Sequence, residues 1–254
     1  MRSANGYSVV SAMKMALPEV TNMLTLRKSA DRGHADHGWL DSYHTFSFAD
    51  YYDAEHMGWG TLRVINQDTV QPGHGFPAHA HRNMEIMSYV LEGELEHKDS
   101  TGTGAVTRPG DVQLMSAGTG VQHSEFNPSQ KNPVHFLQIW IVPKFTGTRP
   151  SYSQKFFDPT EKRGRLRVLA SPDAREGSLK IGQDATVYAA LLDGNERVQQ
   201  VLAPGRRAYV HVARGEVTLN GYRLSSGDGA KIEEEATLSF SEGRNAEILL
   251  FELA

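Results

Sequence analysis

Short runs of apolar residues alternate with turn-forming residues along nearly the whole chain. TLRVINQDTV (61–70), VHFLQIWIV (134–142) and ATLSFSE (236–242) are rich in Val, Ile, Phe and Thr, and several such runs alternate with period two. Gly, Pro, Asn and Asp separate the runs, and segments with the 3.6-residue period of a helix are scarce. Many short strands at regular spacing favour an all-β fold, either a sandwich or a barrel.

This strand pattern repeats between the two halves of the chain. The first half carries YVLEGELEH followed by VTRPGDVQLM, and the second carries HVARGEVTLNG followed by LSSGDGAKI. Each copy predicts a strand, a glycine turn, a second strand and a turn that ends in Gly-Asp. We therefore expect two β-barrel domains, at 23–145 and 146–254, joined by the Pro- and Gly-containing stretch 143–165. Residues 1–22 are expected to form a flexible extension.

Composition restricts the classes of function. The formal net charge of -4 predicts no general attraction to nucleic acid or to an anionic membrane. The absence of cysteine excludes disulfides, thiolate metal sites and cysteine nucleophiles, and it fits a cytoplasmic protein. No apolar run approaches the roughly 20 residues of a membrane span. Lys14 interrupts the mildly apolar stretch near the N terminus, so no signal peptide is expected.

Two pairs of metal-ligating residue types occur at alternate positions. His79 and His81 lie in GFPAHAHRNMEI, and His123 and Glu125 lie in GTGVQHSEFN. Alternate residues of a strand point to one face, so each pair can direct both donors toward one ion. If the two segments face each other across a barrel, three imidazoles and a carboxylate converge. That set suits a first-row metal and leaves the choice open among Fe, Mn, Co, Ni, Cu and Zn.

Other titratable residues have less specific interpretations. Glu85 lies an even number of residues from both histidines of the first pair, so an unbroken strand would place it on their face. The sequence leaves four roles for Glu85: a metal ligand, a hydrogen-bond acceptor behind the ligands, a general base or an ordinary strand carboxylate. The matching strand of the second half holds only His211, which we interpret as a structural or surface histidine.

Apolar residues near the paired motifs are expected to shape the entrance of a pocket. Phe76, Met84 and Met115 are candidates for contacts with a flat ligand, and each is equally well explained as core. The residues expected to fill a cap over the barrel are Trp39, Phe46 and Phe48. The histidines expected to be hydrogen-bonded polar residues rather than ligands are His34 and His44.

The paired motifs resemble the cupin pattern, whose first motif reads G-x5-HxH-x3or4-E-x6-G. The residues at its positions are Gly73, His79, His81, Glu85 and Gly93. The spacing departs once, because seven residues separate the glutamate from the last glycine. The residues that resemble the second motif are Gly110, Gly118, Gly120, His123 and Asn127. Here Gly118 replaces the usual proline, and the spacing from Gly110 is longer.

These departures are typical of one cupin subfamily, the pirins. The segments that are similar to this family are DRGHADHGWLDSYHTFSFADYYD (31–53), MSAGTGVQHSE (115–125), LQIWIVP (137–143) and SPDAREGSLKIGQDA (171–185). The resemblance covers about residues 24–254. It points to bacterial pirin-like proteins with quercetin 2,3-dioxygenase activity.

The resemblance implies a bicupin, an all-β protein of two antiparallel, jelly-roll-like β-barrel domains packed together. It implies one divalent metal, in the first barrel only, and iron(II) is the ion that the family most often implies. The implied ligands are His79, His81, His123 and Glu125, whereas Glu85 is not the favoured ligand. It further implies that O2 opens the flavonol ring with loss of carbon monoxide, and that Glu125 also accepts the proton of the 3-hydroxyl group.

The resemblance leaves several hypotheses open. We expect a monomer whose partners are O2 and a small flavonol-like substrate, with no direct nucleic-acid or membrane partner. A catechol-like, enediol or other chelating substrate is a further possibility for the same site. The alternative of another class is a metal-linked regulatory protein, because eukaryotic pirins are implicated in transcriptional regulation.

Overall fold

A computed structural model describes residues 23–254, which form sheets that are almost entirely antiparallel. The predicted extension, residues 1–22, lies outside the described residues. The strands up to Phe156 are β1 (Met23–Arg27), β2 (Gly33–Asp36), β3 (Leu40–His44), β4 (Leu62–Val70), β5 (Gly75–His81), β6 (Glu85–Glu92), β7 (Leu95–Asp99), β8 (Gly104–Thr107), β9 (Asp111–Ser116), β10 (Val121–Phe126), β11 (Val134–Ile141) and β12 (Ser151–Phe156).

The rest of the chain, from residue 157 onward, continues the same architecture. Its strands are β13 (Arg167–Ser171), β14 (Leu179–Lys180), β15 (Ala185–Leu192), β16 (Val198–Val201), β17 (Arg207–Leu219), β18 (Tyr222–Ser225), β19 (Gly229–Glu233) and β20 (Thr237–Leu253). Helical structure within residues 23–254 is limited to α1 (Pro159–Lys162) and the 3-10 turns Ser29–Asp31 and Arg175–Gly177. None of these described helices has the length and apolarity that a membrane crossing requires.

Two sheets enclose the interior of the first barrel. One sheet has the strand order β12-β9-β6-β11-β4-β3-β2, and the other has the order β5-β10-β7-β8. They face each other, since Ser88 of β6 and Gln138 of β11 donate hydrogen bonds to Glu125 of β10. The all-β, two-barrel fold predicted from the sequence is confirmed.

The interior of this barrel is apolar at both ends and polar in the middle. The buried cluster at one end consists of Leu40, Val70, Val90, Leu95, Val134 and Phe136. The buried cluster at the other end consists of Ile86, Met115, Ala117 and Val121. The buried polar band between them contains Ser88, His97, Gln113, His123, Glu125 and Gln138. Buried polar groups require hydrogen-bond partners or another role, so this band marks the functional part of the barrel.

The second barrel is built around two long strands. Its sheet has the order β1-β19-β17-β20-β15-β13-β14, with β16 paired to β20 and β18 paired to β17. The pair β17·β20 shifts register at three places, which lets both strands bend around the barrel. The predicted division between residues 145 and 146 does not separate the strand pairing, because each half contributes one strand to a sheet of the other half. β1 pairs with β19 of the second half, and β12 pairs with β9 of the first half.

The two barrels share one apolar interface. Met87 and Leu137 of the first barrel belong to the same buried cluster as Val187 and Leu249 of the second. Along β6, alternate residues therefore face different cores, which is why EIMSYVLE reads as a continuous buried run and not as an alternating one. The indole N–H of Trp59 also donates a 2.9 Å hydrogen bond to the carbonyl oxygen of Ala208 across this interface.

Candidate metal centre

The two paired motifs lie on neighbouring strands of one sheet. β5 and β10 are antiparallel, with His79 opposite His123 and His81 opposite Val121. The expectation that the segments face each other across the barrel is therefore wrong. They converge because directly opposed residues in an antiparallel pair have Cβ atoms only about 5 Å apart. The donor nitrogens of His79, His81 and His123 all lie within 4.8 Å of one another.

A bulge in β5 adjusts the pairing beyond the histidines. The register shifts between His123 and Glu125, so that Phe76 and not Pro77 lies opposite Glu125. Proline has no N–H to donate to a ladder, and bulges are among the places where a strand accommodates it. The carbonyl oxygen of Pro77 instead lies 2.8 Å from Nδ1 of His79. An N–H at Nδ1 donating there leaves the Nε2 lone pair of His79 free to bind a metal.

Two of the three imidazoles, His81 and His123, have the charge state that a metal ligand needs. Burial, with a smaller effect of the neighbouring His79, lowers the pKa of His81 to about 4. Burial, followed by the charges of His79 and His81, lowers the pKa of His123 to about 3. Nε2 of His123 is buried and has no hydrogen-bond partner. A neutral imidazole with an unpartnered nitrogen, next to two others, fits a divalent first-row metal.

Glu125 lies deeper in the polar band than the histidines of β5. Ser88 donates a 3.1 Å hydrogen bond to its Oε1, and Nε2 of Gln138 donates a 2.6 Å hydrogen bond to its Oε2. Burial raises the pKa of this carboxyl group. Its oxygens lie within 4.8 Å of donor nitrogens of His123 and His97, in a second cluster that overlaps the first at His123. The structure thus places the four expected ligands in two overlapping groups.

Glu85 does not reach the histidines. Its Oε2 accepts hydrogen bonds from Oγ of Ser116 at 2.7 Å and from the backbone N–H of Gly182 at 3.2 Å. The strand is not continuous between His81 and Glu85, because Asn83 turns the chain with a φ of 51°. The even number of residues between the two histidines and Glu85 therefore does not place them on one face. Glu85 is a hydrogen-bonded strand carboxylate that links the two barrels.

The histidine cluster opens into a cavity of about 560 Å³. Among its lining residues, Phe48 and Trp140 form an aromatic wall, with ring centroids 5.4 Å apart, and Phe76 lies near the bulge. A polar wall is formed by Ser42, His44, Asn66 and Asp68. A cavity of this size, which combines aromatic side chains with polar and titratable ones, is typical of small-molecule sites.

The residues expected at the entrance and in the cap have separate positions. Phe76 and Phe48 line the cavity, but Met115 is buried in the core and Met84 packs against the same cluster. The three aromatic residues expected in a cap lie in different places. Trp39 packs edge-on against Phe76, and Phe48 lines the cavity. Phe46 is instead buried against Tyr209 at the barrel interface. His34 and His44 are hydrogen-bonded, to Asp41 at 2.6 Å and to Asn66 at 2.9 Å, as expected.

Sequence reasoning missed His97. This residue is fully buried beside His123, on strand β7, which flanks β10 on the side away from β5. A signal was present, because His97 and Asp99 form a further pair at alternate positions, like His123 and Glu125. The polar wall on β3 and β4 was also missed, and there the sequence shows only ordinary strand alternation.

Sequence comparison shows that both halves of the chain match known protein families. The Pirin family profile matches residues 25–141, and the profile of the quercetinase C-terminal cupin domain matches residues 168–253. The chain is 50% identical over 232 residues to a quercetin 2,3-dioxygenase of Escherichia coli K12, covering 91% of this chain and 99% of that protein. It is 42% identical over 230 residues to a pirin-like protein of Caulobacter vibrioides, covering 90% and 99% respectively.

A solved structure shows the same fold. The bacterial pirin YhhW of Escherichia coli, in complex with nickel(II), superimposes with a TM-score of 0.87 and 47% sequence identity. The match covers 91% of this chain and 99% of that one.

Proposed function

The chain belongs to the pirin family, and we propose that it is a metal-dependent dioxygenase that opens the heterocycle of quercetin-like flavonols with O2 and releases carbon monoxide. The observation that carries the proposal is the convergence of three imidazoles on a cavity with an aromatic wall. The name of the Escherichia coli relative supports the choice of substrate.

We assign the metal to His79, His81, His123 and Glu125 of the first barrel. The unpartnered Nε2 of His123 supports this assignment, as do the two donor groups that share His123, one with His79 and His81 and the other with His97 and Glu125. Iron(II) is the ion that we propose, and nickel(II), found in the Escherichia coli relative, also suits a set of neutral nitrogens and one carboxylate. A divalent metal held here would supply Lewis acidity, which favours the deprotonated form of a bound flavonol.

Glu125 is the residue that we propose as the proton acceptor. It lines the cavity and is buried in the polar band, so its carboxylate is within reach of a hydroxyl group of a ligand bound there. Ser88 and Gln138 hold its two oxygens in place, which reduces the reorganisation needed when a substrate hydroxyl group arrives. In this proposal Glu125 takes the proton of the 3-hydroxyl group, and the resulting anion reacts with O2.

The two walls of the cavity would orient a flat, hydroxylated ligand. Phe48 and Trp140 offer aromatic surface to its rings, and water is displaced from this wall when the rings bind. Asn66 and Asp68, on the polar wall, can hydrogen-bond hydroxyl groups at the other end of the ligand. A polyhydroxylated flavonol meets both requirements.

The test is oxygen uptake combined with detection of carbon monoxide. The full-length protein, loaded separately with Fe(II), Ni(II) and Mn(II), is incubated with quercetin while dissolved O2 and evolved carbon monoxide are measured. We expect equal amounts of O2 consumed and carbon monoxide released, and loss of both in His79→Ala. His135→Gln is the matched control, since His135 is hydrogen-bonded to Gln67 at 3.0 Å and does not line the cavity.

Absence of oxygen uptake with every metal and every flavonol would contradict the proposal. Oxygen uptake without release of carbon monoxide would support a dioxygenase activity but contradict the proposed ring-opening reaction. Metal-dependent binding of a protein partner, with no turnover at all, would favour the regulatory alternative.

A further inference from the structure

A buried chain of polar side chains lies behind His123, on the side of β10 away from β5. Nδ1 of His123 is 3.3 Å from Nδ1 of His97, and Nε2 of His97 is 3.0 Å from Oδ2 of Asp99. The side chains of His97 and Asp99 are 0% and 1% exposed. β10 pairs with β5 along one edge and with β7 along the other, and the pairing with β7 places Asp99 directly opposite His123.

Asp99 can only accept hydrogen bonds in this position. Its Oδ1 accepts from the backbone N–H groups of Thr101 and Thr103, at 2.8 and 3.1 Å, and from the hydroxyl group of Thr101 at 2.6 Å. These bonds fix the carboxylate and leave Oδ2 facing His97. Nε2 of His97 therefore carries the hydrogen, and this N–H donates a hydrogen bond to Oδ2 of Asp99.

The other nitrogen of His97 is an acceptor. Oε1 of Gln113 accepts a 3.2 Å hydrogen bond from the hydroxyl group of Thr107, which fixes the orientation of the amide. Nε2 of Gln113, a donor, lies 3.5 Å from Nδ1 of His97 and equally far from Oγ of Ser88 and Oε1 of Glu125. In a neutral His97 with its hydrogen on Nε2, Nδ1 carries the one lone pair of the ring, so Nδ1 of His123, 3.3 Å away, is the donor of that contact. This leaves the lone pair of His123 on Nε2, the atom that has no hydrogen-bond partner.

We propose that Asp99 and His97 are positioning residues, which fix the tautomer and the ring orientation of His123 so that its Nε2 faces the metal. The inference rests on the metal site proposed above. A carboxylate behind an imidazole makes that imidazole a better acceptor, which in turn strengthens the donor character of the ligand in front of it. Loss of such a partner typically weakens metal binding by about 10–100-fold.

The first test measures Ni(II) affinity of the full chain by competition with a chelator. We expect Asp99→Asn and His97→Gln to bind about 10–100-fold more weakly than the parent protein. Lys98→Gln is the matched control, because Lys98 is exposed on the same strand and pairs with Glu96; its affinity is expected to stay unchanged. The visible absorption spectrum of Co(II) bound to Asp99→Asn should shift as well, since the ligand field of His123 changes.

The outcomes separate this inference from the proposed function. Parent protein that binds no Ni(II) overturns both. Tight binding by the parent and equally tight binding by folded Asp99→Asn and His97→Gln overturns only the positioning role.

A second test needs no variant. In the metal-free parent protein, nitrogen NMR of the histidine rings should show His123 protonated at Nδ1 and unprotonated at Nε2. The opposite tautomer overturns the inference, even if the substituted proteins fail to fold.

Discussion

His79 and His123 lie directly opposite each other in the antiparallel pair β5·β10, with their ring centroids 4.5 Å apart. His81 follows two residues along β5, and its ring centroid lies 4.8 Å from each of the other two. The imidazole cluster is therefore built by one strand pair, and its geometry depends on the register of that pair.

Replacing His79 with alanine should remove tight metal binding without unfolding the protein. His79 is only half-buried and belongs to none of the described apolar clusters, so the loss of its ring opens no cavity in the core. Removal of a residue that only hydrogen-bonds to a metal ligand weakens metal binding by up to about 100-fold. We expect removal of the ligand His79 itself to weaken binding more than that. Elemental analysis after dialysis against a weak chelator measures it, and retention of a full equivalent of metal by His79→Ala contradicts the ligand assignment.

Glu125→Gln should fold and bind substrate but turn it over slowly. The amide keeps the shape of the carboxylate and cannot accept a proton, so we expect kcat to fall by about 10²–10⁴-fold. Glu85→Gln is the matched control, because Glu85 bonds Ser116 and Gly182 instead of facing the cavity. Steady-state oxygen uptake by both metal-loaded variants distinguishes the two carboxylates. Full turnover by Glu125→Gln would rule it out as the essential base.

Gly118→Ala should destabilise the protein, and Gly118→Pro should do so more strongly. Gly118 has a φ of 48°, and a Cβ at this position would collide with the carbonyl oxygen of Thr148. Proline, which the cupin pattern has here, is fixed near a φ of about −65° and cannot adopt this conformation. This explains the departure from the cupin pattern. We expect the alanine variant to lose about 1–3 kcal/mol of unfolding free energy.

Urea denaturation measures this loss, and Gly104→Ala provides the comparison. A Cβ at Gly104 meets no atom within 4 Å. If the two alanine variants unfold at the same urea concentration, the strain argument for Gly118 fails.

Acid should destabilise the fold partly through His211. This residue is completely buried, and neither ring nitrogen has a hydrogen-bond partner. Burial, with a smaller effect of the positive charge of Arg32, lowers the pKa of His211 to about 3. Below the unfolded pKa of about 6.5 the unfolded chain binds a proton that the folded protein does not. The contribution of His211 to stability is therefore complete above that pH and is lost toward pH 3, by up to about 1.4 kcal/mol per pH unit.

The measurement is the unfolding free energy of the parent protein and of His211→Leu between pH 7 and pH 4.5. The difference between the two proteins should change little at pH 7 and should move steadily in favour of the variant as the pH falls below about 6.5. A difference that does not change with pH shows that His211 is protonated in the folded protein, or hydrated in a way that its burial does not indicate.

The strands and the residues of the imidazole cluster could be predicted from local patterns in the sequence. Side chains of a strand alternate between its faces because of local backbone geometry, so period-two patterns and the pairs His79–His81 and His123–Glu125 can be read directly. The repeated Gly-Asp turns likewise indicated two barrels, and the missing histidine pair around His211 indicated that they differ.

Which strands are neighbours is visible only in the folded chain, and the roles of several residues depend on it. The position of His97 behind His123 requires β7 to lie beside β10, and the separation of Glu85 requires the turn at Asn83. The exchange of β1 and β12 between the halves, and the burial of Phe46 at the interface, also come from contacts between distant segments. Alternation is a property of a few consecutive residues, whereas strand order and register minimise the free energy of the whole chain, so no local pattern specifies them.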